Sequence, residues 1–351
     1  ADGRFIVFLS TASNLVSGDT NRTWDVFMHD RQTGTTEQVS ISSSGAQANR
    51  NSDRPFISAD GRFVSFGSDA SNLIPGDTNN TSDLFVHDRQ TGTTERVSIS
   101  SSGAQANGQS DYPYISTDGR FITFISIASN LISGDTNSKW DTFVHDRQTG
   151  TTERVSISSS GAQANSDSNA PSISADGRFV LFASTASNLV SDDTNGASDV
   201  FIHDRQTGTT ERISTTYNGA QANSDSNVQG VSITPSGDFV AFFSSASNLI
   251  QGDTNGNTDV FVTHYPLLNL PPNQPPTVDA GGPYPVSEGS SVQVTATGND
   301  PENGSLIYAW DLDNNGSYET PGQSVNFSAA NLDGPYTKTI AILVTDNGNL
   351  S

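Results

Sequence analysis

Apolar positions along this chain come in short runs separated by polar loops, and within the runs they alternate with a period of two. The stretch 55–112 shows the layout once. A short apolar segment at 55–58 is followed by the turn Ala59-Asp60-Gly61-Arg62, in which Gly61 can take positive φ. Residues 63–67 alternate as a strand, a long loop covers 68–82, and 83–88 reads as a third strand. Arg89-Gln90-Thr91-Gly92 makes a hairpin turn into a fourth strand over 94–100, and a loop at 101–112 leads onward. No long window carries apolar residues at helical spacing, so the pattern predicts strands and turns without helices.

The layout recurs. Asp-Gly-Arg-Phe occurs at 2–5, 60–63, 118–121 and 176–179, each copy 58 residues after the last. A fifth, weaker copy, Ser236-Gly237-Asp238-Phe239, is displaced by 60, with the two extra residues falling in 227–232. Four short antiparallel strands per repeat predict an all-β chain built as a β-propeller of four-stranded blades, about five of them visible over 1–264. A parallel β-helix needs shorter rungs, and a leucine-rich or helical solenoid needs another pattern.

The pattern stops at 265–276, where five prolines fall within residues 266–276 and predict a stiff, extended linker. Residues 277–351 have a different texture. Runs at 291–297, 306–311 and 337–345 read as strands, and one tryptophan, Trp310, sits among them, so an immunoglobulin-like β-sandwich is expected.

Composition narrows the function classes. The chain has 351 residues with 38 acidic against 16 basic ones, a formal charge of −22. Such a surface repels nucleic acid and anionic lipid and attracts divalent cations. The chain has no cysteine, which excludes thiol nucleophiles and zinc-thiolate or iron–sulfur centres. No apolar run approaches the length of a membrane span, so direct membrane insertion is not expected of these residues.

The repeat residues carry a resemblance. Pro-x-Ile-Ser-Ala-Asp-Gly-Arg-Phe-Val, then Ser-Asn-Leu, Gly-Asp-Thr-Asn and Asp-Val-Phe-x-His-Asp-Arg-Gln-Thr-Gly resemble the TolB-type, WD-like propeller repeats of bacterial extracytoplasmic proteins over residues 1–264. The resemblance implies that the Pro-x-Ile-Ser strand is innermost and the strand after Thr-Gly outermost. On that template the first blade lacks its inner strand and the fifth its outer one, so the chain reads as a fragment of a longer protein. Residues 277–351 resemble a PKD (polycystic kidney disease) domain through the opening Pro-Pro-Thr-Val-Asp-Ala-Gly, the strand Tyr308-Ala309-Trp310-Asp311, and Val-Thr-Asp-Asn-Gly at 344–348. The run Asp311-Leu312-Asp313-Asn314-Asn315-Gly316 departs from the family's commoner Asp-Phe-Gly-Asp-Gly, and the last edge strand is expected to be missing.

Two sets of acids are candidate metal ligands. The first is a loop Asp-x-Asn-x-x-x-Asp, present as Asp19, Asn21 and Asp25; Asp77, Asn79 and Asp83; Asp135, Asn137 and Asp141; Asp193, Asn195 and Asp199; and Asp253, Asn255 and Asp259. The second is Asp311, Asp313 and Asn315, with Glu319 nearby. Alternating oxygen donors in a tight loop suit calcium. They equally suit Asp and Asn capping their own turns, and both readings stand. Lys139 would put a cation beside the third of these loops. The histidines His29, His87, His145, His203 and His264 read as one per repeat, and with the repeated arginines they point to architecture, because a catalytic group is needed once.

Function should show where the repeat breaks. Trp24 and Trp140 stand where other copies have Ser82, Ser198 and Thr258, and they are the candidate ligand-binding residues. Arg50, Arg54, Tyr112, Tyr114 and Tyr217 are also local. No nucleophile–base–acid set or phosphate-cradling glycine loop is present. The expectation is therefore a non-catalytic binding or scaffold region of a secreted or cell-surface protein, mediating adhesion or assembly and stabilised by calcium. Its expected partners are protein or polysaccharide at the cell surface, together with self-assembly. The alternative is an accessory substrate-binding region of a secreted hydrolase acting on polysaccharide or protein.

Overall fold

The computed structural model describes residues 3–265, 275–300, 306–335 and 337–346, with the side chains of 227–229 left aside. Most of the expected proline-rich linker, and the last residues of the expected Val-Thr-Asp-Asn-Gly motif, lie outside the described residues. The chain divides into two compact units, Ala1–Pro266 and Leu267–Ser351. No helix occurs among the described residues.

The first unit is a row of antiparallel sheets. Blade 1 has β1 (Phe5–Ser10), β2 (Asp25–Asp30) and β3 (Thr35–Gln38). Blade 2 has β4 (Ser52–Ile57), β5 (Phe63–Ser68), β6 (Asp83–Asp88) and β7 (Thr93–Arg96). Blade 3 repeats this as β8 (Ser110–Ile115), β9 (Phe121–Ser126), β10 (Asp141–Asp146) and β11 (Thr151–Arg154). Blade 4 has β12 (Ser168–Ile173), β13 (Phe179–Ser184), β14 (Asp199–Asp204) and β15 (Thr209–Arg212). Blade 5 has β16 (Ser226–Ile233), β17 (Phe239–Ser244) and β18 (Asp259–His264). In each sheet the strands follow chain order, so blades 2 to 4 are four-stranded and blades 1 and 5 three-stranded.

Two strand limits differ from the pattern reading. The inner strand starts at Ser52, three residues before the apolar segment, because Ser52 and Asp53 pair with Ser68 and Gly67 across a bulge. The outer strand ends at Arg96. Beyond it the backbone turns back on itself, with Ser100 N–H bonded to Ala104 O and an isolated bridge between Ile99 and Gln105.

The core lies partly within each blade and partly between blades. Phe66 and Phe85 face each other in register with ring centroids 5.8 Å apart, and the same pair recurs in the other blades. One apolar cluster joins Val26, Met28 and Val39 of blade 1 to Val64, Phe66 and Leu73 of blade 2. Each repeat therefore buries its faces against its neighbours, as in other repeat architectures.

The Asp-Gly-Arg-Phe turn builds the blade-to-blade contact. Gly61 has φ +74°, and a Cβ there would lie 2.1 Å from the ring of Phe5 in blade 1. Arg4 covers one side of that ring at 4.7 Å, and Arg89 of blade 2 covers it at 4.9 Å. Arg89 also reaches back to Glu37. Arg62 meanwhile grips Asp88 of its own blade through two hydrogen bonds of 2.9 and 2.7 Å. This bidentate grip holds the Asp88 carboxyl far below the usual range, first through Arg62 and then through the backbone of Gln90.

Blade 5 corrects the histidine register. Thr263, opposite Val240, stands at the position of His29, His87, His145 and His203. His264 falls one residue later, opposite Phe239, where the other blades have aspartate. Arginine is replaced by Asp238 in this turn, so no ion pair forms there, and His264 meets Phe239 edge-on at 5.1 Å. Tyr265 takes the place of the blade-bridging arginine and meets Phe179 edge-on at 5.2 Å.

In the second unit β19 (Thr277–Asp279) pairs with β21 (Thr297–Asn299), and β20 (Ser291–Thr295) pairs with β24 (Ser324–Ser328). The central β22 (Ile307–Asp311) lies between β23 (Thr320–Pro321) and β25 (Ala341–Thr345). The run expected as one strand over 291–297 is divided at the buried Ala296 between β20 and β21. Trp310 is fully buried with Val294 and Ala296, and its indole N–H donates to Gly322 O at 3.0 Å.

Candidate functional site

Three groups of residues merit description: the Asp/Asn loops, the loop after β22, and the inner strands.

The Asp/Asn loops precede β2, β6, β10, β14 and β18. In blade 2 the last residue of the outer strand, Arg96, enters the loop. Its guanidinium lies 3.2 Å from Asp83 and 3.7 Å from Asp77, with all three side chains buried. Arg154 sits likewise 3.3 Å from Asp135 and 3.2 Å from Asp141, and Arg212 sits 3.4 Å from both Asp193 and Asp199. Asn79 turns its amide N–H toward Asp83 and Ala106 O, and its oxygen accepts from Thr81 N–H. Asn137 and Asn195 do the same. A metal between these carboxylates would need the asparagine oxygen and the space that arginine occupies. In blades 2 to 4 one side-chain cation lies against both carboxylates and offsets part of their charge. Burial pushes the carboxyls of Asp83 and Asp141 up, against the opposing pull of their hydrogen bonds and arginine.

The terminal blades differ. Blade 5 has no outer strand among the described residues, and Asn255 alone donates to both oxygens of Asp259 in an exposed loop beside Asp253. Blade 1 has Gln38 where the others have arginine. The signal lies in the outer strand, Thr-Thr-Glu-Gln in blade 1 against Thr-Thr-Glu-Arg in blades 2 to 4.

The loop after β22 gathers the second acidic set. Oxygens of Asp311, Asp313 and Glu319 lie within 4.8 Å of one another. Asp311 is buried and accepts from Asn315 N–H at 3.1 Å and Gly316 N–H at 2.8 Å, while Asn315 donates to Glu319 at 3.2 Å. Burial works to raise the Asp311 carboxyl, but the N–H donors of Gly316, Asn315 and Asn314 outweigh it and hold it below the usual range. Asp313 and Glu319 are exposed, so the open side of the cluster faces solvent.

The inner strands are where near-identical blades differ most. They read Ser-Asp-Arg-Pro-Phe-Ile, Ser-Asp-Tyr-Pro-Tyr-Ile and Ser-Asn-Ala-Pro-Ser-Ile in β4, β8 and β12. Each carries a bulge whose residue before proline is left-handed: Arg54 at φ +46°, Tyr112 at +54° and Ala170 at +47°. Non-glycine residues held there cost about 1–3 kcal/mol each, so the surrounding sheet must impose the conformation. Arg54 pairs with Asp111 of the next blade and stacks 4.2 Å over the Tyr112 ring. Phe56 and Tyr114 meet at 3.9 Å. Tyr112 is 36% exposed, so a cation, a carboxylate and aromatic faces converge on a partly open surface.

Trp24 and Trp140 immediately precede β2 and β10, and their carbonyls accept from Ser52 and Ser168 at the starts of β4 and β12. Trp24 is 49% exposed and Trp140 half-buried; their backbone N–H groups are held by Asn51 and Asp167. Tyr217 is exposed on a loop of its own. The four histidines in register each bond through Nδ1 to the outer-strand threonine of their own blade at 2.9 Å: Thr36, Thr94, Thr152 and Thr210.

Compared with known families, the chain matches no family model, and no curated protein matches it. Solved structures do resemble it. TolB from Agrobacterium tumefaciens is 16% identical over 76% of this chain and 72% of its own, with a TM-score of 0.38. The tricorn protease is 12% identical over 98% of this chain but 30% of its own, with a TM-score of 0.43. The periplasmic gluconolactonase of Pseudomonas aeruginosa is 13% identical over 92% of this chain and 82% of its own, with a TM-score of 0.34. Likenesses this remote carry no argument about activity.

Proposed function

We propose that this chain is a non-catalytic binding region of an extracytoplasmic protein, and that the inner strands of blades 2 and 3 hold the ligand. The observation that carries the reading is the contrast between repeats. Histidines, arginines and aspartates recur blade after blade and are engaged in blade architecture. Arg54, Phe56, Tyr112 and Tyr114 do not recur, yet Arg54 meets Asp111 and Tyr112 of the next blade and Phe56 meets Tyr114. A planar cation beside aromatic rings and a carboxylate suits a polysaccharide or a protein loop at the cell surface. The secreted or cell-surface location and the adhesive role are part of the same proposal, and they rest on the repeat and PKD resemblances. The Asp311 loop is proposed to take calcium and to stiffen the second unit, because its acids are gathered with an open side.

The test is an array screen of the full chain against polysaccharides and peptides, followed by titration of each hit. Arg54→Ala and Tyr112→Ala are expected to weaken binding at least about tenfold, some 1.4 kcal/mol. Undiminished binding in both variants would remove the inner strands from the reading. Release of cleavage products from a bound substrate would remove the non-catalytic part of it.

A further inference from the structure

We propose that blade 1 binds one calcium ion at the place that arginine fills in the three blades after it. Asp19 and Asp25 stand where Asp77 and Asp83 stand in blade 2, and they are buried to 8% and 1% exposure. Gln38 replaces the arginine, so no side-chain cation enters between them. Ser40 donates to Asp25 Oδ1 at 2.8 Å, while Asp25 Oδ2 is buried and accepts no hydrogen bond. Thr23 Oγ1, two residues earlier in the same loop, is also buried without a partner.

The neighbouring amides do not make good the loss. Asn21 donates to Ala48 O instead of to the carboxylate that Asn79, Asn137 and Asn195 reach. Gln47 turns its amide to Gly18 O and Gln38, whereas Gln105 of blade 2 donates to both Asp77 and Asp83. Two buried carboxylates thus share a site whose counterion is missing, an arrangement that is costly unless a proton or a cation is taken up. Burial first, and Asp25 second, push the Asp19 carboxyl up.

The donors at hand are all oxygens: two carboxylates and the Thr23 hydroxyl, with loop backbone and water left to complete the shell. That is a hard-cation set, and its mixture of side-chain types and loop backbone suits the adaptable shell of calcium more than the strict octahedron of magnesium. The proposal is independent of the inner-strand reading, since its test reads metal stoichiometry and not ligand binding.

The experiment is calorimetric titration of the full chain with calcium chloride, comparing wild type with Gln38→Arg. That variant restores the arrangement already present in blades 2 to 4, so it is expected to fold. Wild type is expected to bind one more ion per chain than Gln38→Arg. Terbium provides a second readout: with tryptophan excited, part of the wild-type emission should be lost in both Gln38→Arg and Trp24→Phe, because Trp24 adjoins Asp25, while the part sensitised by Trp310 beside the Asp311 loop stays. Equal stoichiometry in wild type and Gln38→Arg overturns the proposal.

Discussion

At the scale of the residue, the same position plays different parts according to one neighbour. Arg96, Arg154 and Arg212 each sit between two buried carboxylates. Removing such a cation leaves uncompensated buried charge, which costs about 3–5 kcal/mol. Arg96→Gln, which copies Gln38 into blade 2, is therefore expected to lower the chain's thermal midpoint in calcium-free buffer. A melting curve coincident with wild type would show that the arginine is not the counterion. The histidines make a second residue-scale prediction. Thr94 spends its one hydroxyl proton on Ile41 O of the preceding blade, so His87 must donate through Nδ1. Burial lowers the affinity of His87, His145 and His203 for a further proton. The unfolded chain takes up that proton near pH 6.5, so this stability is present above pH 6.5 and lost as pH falls toward the folded values. The arginine-held Asp88, Asp146 and Asp204 behave with the other window. Their stability is complete above the ordinary value of 3.8 and lost only as pH falls through the folded value, about 2 for Asp204. Proton NMR titration of the imidazoles checks the first window. Rings titrating at 6.5 or above would refute it.

At the scale of the element, the unit that matters is the turn–ring contact between blades. Gly119 has φ +76°, and a Cβ there would lie 2.2 Å from the Phe63 ring, which Arg62 and Arg147 both cover. Gly119→Ala and Phe63→Ala are each expected to destabilise, the latter by about 3–5 kcal/mol. The double variant should cost less than their sum, because removing the ring removes the clash. Additive denaturation energies would mean the two do not meet. The same elements show what a sequence discloses. The strand Asp83–Asp88 was legible to the residue, since its aspartates and alternating apolar run mark both ends. The start of β4 was not, because Ser52, Asp53 and Arg54 look like loop residues and become strand only through pairing with Ser68 and Gly67. The Asp/Asn loops were legible as constellations, but their occupant was not. Arg96 reaches them from thirteen residues beyond Asp83 by the hairpin, a proximity that spacing alone does not announce. The inner-strand cluster was visible only as scattered breaks in the repeat. Its convergence comes from the stacking of β4 on β8.

At the scale of the whole molecule, two compact units are expected to melt as two transitions, each with its own dependence on calcium. In the second unit, the Asp311 loop predicts a rise in midpoint with calcium, worth about 2.7 kcal/mol at a hundredfold excess over Kd. Asp313→Ser, which leaves the buried Asp311 and its N–H donors in place, should abolish that rise without abolishing the fold. A transition indifferent to calcium in wild type would reduce the loop to turn chemistry. The first unit raises another issue, which follows from the Gly61–Phe5 contact and its successors. The surfaces that join blade 1 to 2, 2 to 3 and 3 to 4 use the same ring, the same glycine and the same arginine–glutamate pair. At these turn–ring contacts any face is complementary to any other, so during folding a blade can dock on a partner one repeat too far along the chain, or on another chain altogether. What keeps assembly in order is the short tether between consecutive blades, which lets the correct neighbour arrive first. Local concentration, and not lock-and-key selectivity, is then the proofreading device of this molecule.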